Sequence, residues 1–76
     1  MTENTFGTWL REQRYDRGLT LKEFAKDLGI SYVTLSNVEL GKRTPGINAL
    51  KKISASLEVD YIDLRKILKG EQYHED

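Results

Sequence analysis

Residues 20–41 read TLKEFAKDLGISYVTLSNVELG, two short helical patterns joined by a tight turn. The first pattern places Leu21, Phe24, Ala25 and Leu28 at i, i+3, i+4 and i+7, the spacing of one helical face. Thr20 is suited to cap it, and Glu23 three positions on completes a capping box. Gly29 ends it, since glycine accepts the left-handed conformation common at helix C-termini. Only Ile30 then intervenes before Ser31, a good N-cap for a second helix. That helix commits Leu35 and Val38 to a core and leaves Tyr32, Val33, Thr34, Ser36 and Asn37 to face outward.

Two crossed helices with this connection form a helix-turn-helix. In DNA-binding versions the second helix enters the major groove. Working outward, residues 1–5 are polar and expected to fray. A first helix is expected over 6–17, with Phe6, Leu10, Gln13 and Arg14 turned inward and Gly18 closing it. Gly41 stops the third helix, and a loop carries Lys42, Arg43 and Thr44 to Pro45, which is placed to restart a helix. A fourth helix over 46–57 has Ile47, Leu50, Ile53, Ser54 and Leu57 at core spacing. Asp60 caps a fifth over 61–68, closed by Gly70, with Tyr61, Leu64 and Leu68 packing inward. No alternating strand pattern or internal repeat appears. The expected fold is all-α, a compact five-helix bundle: one domain over 6–70 with its helix-turn-helix at 20–39, then an acidic tail over 71–76.

Seventy-six residues suffice for one modest core. A charged fraction of 32% against 38% hydrophobic suits helices with solvated outer faces. No apolar run approaches membrane-spanning length and none resembles a signal peptide, so no membrane association and a cytoplasmic location are expected. The chain contains no cysteine, which excludes disulfides and thiolate metal sites. Its single histidine, His74, excludes a histidine-based metal or catalytic cluster within one chain. No cofactor is implied. Net charge is zero, although a nucleic-acid binder usually carries a basic surplus. The charge is unevenly distributed, however. Residues 41–52 hold Lys42, Arg43, Lys51 and Lys52 with no acid, while 71–76 hold Glu71, Glu75 and Asp76 with no base.

The chain resembles the phage-repressor and Cro-type helix-turn-helix family, the lambda-repressor-like or Xre family. The resemblance covers about residues 6–68. Its carriers are LREQRYDRGLTLKEFA at 10–25, LGIS at 28–31, LSNVELGKRTP at 35–45 and LKKISASLEVD at 50–60. It implies a five-helix bundle that binds operator DNA as a dimer.

Tyr32, Val33 and Asn37 occupy the positions from which this family reads base edges. Their chemistry suits the task. Asn37 offers the donor and acceptor that adenine requires, and Val33 can pack on thymine methyls. Tyr32 can stack on a methyl or donate its hydroxyl to a phosphate. The plain alternative is a solvated helix face, for which adjacent exposed tyrosine and valine are poor choices. Thr34 and Ser36 are better suited to phosphate than to bases, as is Ser31 at the start of that helix. Lys42, Arg43 and Thr44 follow where family members grip the sugar–phosphate backbone, although basic loops also serve solubility. The amide end of the helix capped by Thr20 is a further phosphate site. There the family's usual glutamine is replaced by Leu21, which leaves the contact to Thr20, Lys22 or backbone N–H groups. Arg14 and Glu39 sit where the family often has a buried ion pair. Trp9, Tyr15, Tyr61 and Ile62 exceed the needs of a small core, and Tyr61, Ile62 and Arg65 are candidates for a dimer interface on the last helix.

The leading expectation is a sequence-specific transcriptional regulator, a repressor, acting as a homodimer on a palindromic site in double-stranded DNA. A protein-interaction module of the same fold, such as an antitoxin or an antagonist of another regulator, is the alternative; it fits the neutral charge and Leu21. The acidic tail is expected to be disordered; binding a partner or modulating DNA affinity is the alternative. An enzyme is not expected, because no nucleophile with its base, paired-carboxylate cleft or phosphate loop is present.

Overall fold

The capping residues of the 20–41 stretch act as their chemistry requires. In a computed structural model that describes residues 5–69, the Thr20 hydroxyl accepts from the Glu23 N–H at 3.1 Å, and the Glu23 carboxylate accepts from the Thr20 N–H at 2.9 Å. This capping box starts α2, Leu21–Leu28. Gly29, at φ +81°, closes it by donating to the Lys26 carbonyl, and Ile30 donates to the Ala25 carbonyl. The added Cβ of an alanine there would meet only the Lys52 stem at 3.7 Å. The left-handed backbone, not crowding, therefore selects glycine at this turn. Ser31 then caps α3, Tyr32–Glu39, by accepting from the Thr34 N–H at 3.0 Å.

The remaining elements are α1 (Thr5–Asp16), α4 (Ile47–Leu57) and α5 (Tyr61–Lys69). No strand occurs among the described residues, so the expected all-α, five-helix architecture is the one found. Helix boundaries differ from the expected ones by a residue at most ends. The expectations for 1–4 and for 70–76, including His74 and the acidic tail, lie outside the described residues. Asp60 caps α5, its carboxylate accepting from the Ile62 N–H at 2.8 Å.

The core takes Phe6 and Leu10 from α1, Phe24, Ala25 and Leu28 from α2, Leu35 and Val38 from α3, Leu50, Ile53 and Leu57 from α4 and Leu64 from α5. Trp9, Tyr61 and Leu68 pack at its edge, as does Leu21. The expected core role of Ile47 is wrong: it is 63% exposed. Pro45 is buried instead, and the apolar stripe of α4 begins a turn later, at Leu50.

The helix α3 packs chiefly on α1 and α2, and α1 fixes its far end electrostatically. The Arg14 guanidinium donates to both carboxylate oxygens of Glu39, Nε and Nη2 each at 2.9 Å, and Nη1 donates to the Leu19 carbonyl at 3.2 Å. Arg11 adds a bond to the Glu39 carbonyl at 3.2 Å. Its hydrogen bonds to the Glu39 carboxylate, opposed by burial, raise the Arg14 pKa above its ordinary value. A cation with a raised pKa contributes its stability in full below its ordinary range, so this one adds no titration near neutrality. On the other side, α4 ties down the end of α2: Lys52 donates to the Gly29 carbonyl at 3.1 Å and Ser56 to the Asp27 carbonyl at 3.2 Å.

One helix end departs from the pattern. Glu58 closes α4 at φ +58°, the left-handed region that α2 and the loop after α3 give to glycine.

The Arg14 and Glu39 side chains are 13% and 4% exposed, so removing one strands the other. Arg14→Met leaves a buried carboxylate without its cation and should cost about 3–5 kcal/mol in denaturant unfolding. Glu39→Gln keeps one acceptor and should cost less, about 1–3 kcal/mol. Glu58→Gly removes roughly 1–2 kcal/mol of left-handed strain against roughly 0.4–1 kcal/mol of added unfolded-chain freedom. It should raise the melting temperature.

Candidate nucleic-acid interface

With its back held by α1 and α2, α3 presents a face whose composition is unusual for solvent. Tyr32 is 46% exposed and Val33 57%. Asn37 lies one turn beyond Val33, and Ser36 one turn beyond Tyr32, so the four share one surface. Asn37 is half-buried. Thr34 is restrained, because Ser31 Oγ lies 2.9 Å from Thr34 Oγ1 while it caps the Thr34 N–H. The face carries an apolar surface, an amide with donor and acceptor, and hydroxyls, all on a short, pinned helix.

The flanks differ in charge from the face. Lys42, Arg43 and Thr44 are exposed in the loop after α3. The Lys42 N–H donates to the Asn37 carbonyl at 2.8 Å and the Gly41 N–H to the Val38 carbonyl at 3.1 Å. Gly41, at φ +79°, makes that reversal possible. The direction of the basic loop is therefore set by the last turn of α3. On the other flank, the first N–H groups of α2 have no acceptor within their helix, which makes its end a donor surface with positive dipole. Thr20 and Lys22 are exposed there. Leu21 points into the chain and packs on the core edge, so it takes no part in that surface. Lys22 Nζ stands 5.3 Å from the centre of the Tyr32 ring, which links the two helix N-termini.

These residues thus form one surface from three segments: the start of α2, the outer face of α3 and the loop after it. Tyr61, Ile62 and Arg65 on α5 belong to a separate region. Tyr61 packs against the chain's own core, while Ile62 is 62% exposed and lines a shallow groove with Arg65, Lys66 and Lys69. Sequence reasoning missed Arg11, Lys52 and Ser56, which hold the two helices of the motif by bonds to backbone carbonyls. A surface lysine or serine carries no pattern that distinguishes such a role from solvation. Among the described residues no group of acidic or histidine side chains is placed to hold a metal ion, and no helix is long and apolar enough to cross a membrane.

Comparison with known proteins bears on the same segments. A family model described as helix-turn-helix matches residues 10–70. The uncharacterised HTH-type transcriptional regulator RghRB of Bacillus subtilis is 47% identical over 60 residues, 78% of this chain and 43% of its own length. The HTH-type transcriptional regulator DdrOP3 of Deinococcus deserti is 34% identical over 67 residues, 88% of this chain and 50% of that protein. The HTH-type transcriptional regulator SlrR of Bacillus subtilis is 37% identical over 59 residues, covering 76% and 39%. The chain spans half or less of the length of these curated relatives. Each of the three is named as a transcriptional regulator, not as an enzyme.

The cap of α3 is testable without DNA. Ser31→Ala removes the acceptor for the Thr34 N–H and should cost about 1 kcal/mol. Amide hydrogen exchange should quicken first in α3.

Proposed function

This chain belongs to the Xre-type helix-turn-helix family, and from that premise we propose that it is a DNA-binding transcriptional regulator. In this reading α3 enters the major groove. Asn37 pairs with an adenine edge and Val33 and Tyr32 contact thymine methyls. Lys42, Arg43 and Thr44 on one flank hold the sugar–phosphate backbone, as do Thr20, Lys22 and the amide end of α2 on the other. Ser31, Thr34 and Ser36 supply further hydroxyl contacts to phosphate. One observation carries the reading: a helix anchored on its inner side exposes adjacent tyrosine and valine beside a half-buried asparagine, between two donor-rich flanks.

The regulator acts as a repressor and as a homodimer on a palindromic operator. Its half-sites lie about one helical turn, roughly 10 base pairs, apart. Exposed Ile62 with Arg65 on α5, next to Tyr61, is the surface offered for the second copy. Neutral net charge is compatible with this function because Lys42 and Arg43 on one flank of α3 and Lys22 on the other place cations at the surface itself.

Two substitutions separate base reading from backbone grip. Asn37→Ala should lower discrimination at one base pair by about 1–3 kcal/mol while leaving random-sequence binding intact. Arg43→Ala should weaken all duplexes alike and flatten the slope of log K against log salt by about one phosphate contact. Fluorescence anisotropy titrations at several salt concentrations measure both. A chain with no salt-dependent affinity for any duplex is a protein-interaction module instead.

A further inference from the structure

The contact between Lys22 and Tyr32 lies outside the packed core. Both residues are exposed, and neither belongs to the core. Lys22 is also poorly placed for its own helix, because a cation in the first turn opposes the helix dipole. Its neighbours on that turn are committed elsewhere. Leu21 packs on the core edge, and Glu23 is held in the capping box by the Thr20 N–H. What Lys22 does have is the face of the Tyr32 ring, with Nζ at 5.3 Å from the centroid, within cation–π range.

Tyr32 is the first residue of α3, where a side chain has the fewest neighbours to restrain it. A ring left free there samples several rotamers and offers no fixed surface to a base. A cation stacked on one face favours one orientation of the ring. We infer that Lys22 is a positioning residue for sequence recognition: it fixes the Tyr32 ring from across the turn, so that the ring meets the groove in one orientation. This inference rests on the proposed DNA reading and assigns Lys22 a role beyond neutralising a phosphate. A phosphate contact alone acts equally on every sequence. A positioning contact acts on the base pair that Tyr32 touches.

The two roles are separable by selecting duplexes from a randomised pool with the 76-residue chain and its variants. Lys22→Met removes the charge and keeps the length. It should lower preference at the Tyr32 base pair by about two- to fivefold, the scale of an exposed cation–π contact, and leave the Asn37 position unchanged. Lys22→Arg, which also stacks on an aromatic face, should restore the preference. In Tyr32→Leu the same Lys22→Met change should have no position-specific effect. The free protein gives an independent readout. The Lys22 ε-methylene protons should be shifted upfield by the ring current in the wild type, and the shift should vanish in Tyr32→Leu. An unshifted wild-type resonance, or a Lys22→Met profile that falls equally at all positions, overturns the positioning role. If the wild type selects a motif and Asn37→Ala alters it, that failure belongs to Lys22 alone. If the wild type selects nothing, the DNA reading fails and the role falls with it.

Discussion

A bidentate ion pair fixes where α3 points. Arg14 reaches from α1 across the core edge to grip both oxygens of Glu39, and it also holds the Leu19 carbonyl just before α2. Three segments meet at one guanidinium. A planar fork with five donors can satisfy such a junction, and lysine cannot. Glu39 is the last residue of α3, so the pair anchors the helix end opposite the Ser31 cap. With both ends held and Leu35 and Val38 fully buried, rotation of α3 about its own axis is blocked. The exposed face is therefore a fixed surface.

That constraint explains how an eight-residue helix can serve as an interface. Such a helix is marginal on its own, since isolated helices shorter than about 12–15 residues are barely populated in water. Its inner side supplies only two large apolar residues. The remaining stability comes from neighbours: Arg11 and Arg14 from α1, and α2 beneath it. The helix α4 in turn clamps α2 by two side-chain bonds to its terminal carbonyls. The support of the candidate interface is thus layered, from α4 to α2 to α3. The outer face of α3 carries no packing duty and is free to vary in chemistry.

How legible this was in the sequence follows from the range of each interaction. Caps act over three residues, so Thr20 with Glu23, Ser31 and Asp60 were readable as written. The periodic apolar stripes were readable too, except at Ile47, where spacing alone cannot tell that the first turn of α4 lies beyond the core's edge. The Arg14–Glu39 pair joins residues 25 positions apart, and only the family resemblance pointed to it. The Lys52 and Ser56 bonds to α2 join side chains to carbonyls that every residue possesses, so no residue type announces them. Glu58 in the left-handed region carries no signal either, since glutamate is not selected for that conformation. The outward face of α3 was legible because its tyrosine and valine had no place on the inner stripe. Its pairing with Lys22 was not, because that contact depends on how two helix starts are brought together.

We propose that DNA meets the chain on the surface formed by the start of α2, the outer face of α3 and the loop after it. Amide chemical-shift mapping during titration with a selected duplex tests this residue by residue. The largest shifts are expected at residues 20–22, 31–37 and 42–44, with α5 little changed apart from residues at a dimer contact. Shifts centred on α4 or α5 with α3 unmoved, or no shifts with any duplex, would contradict it.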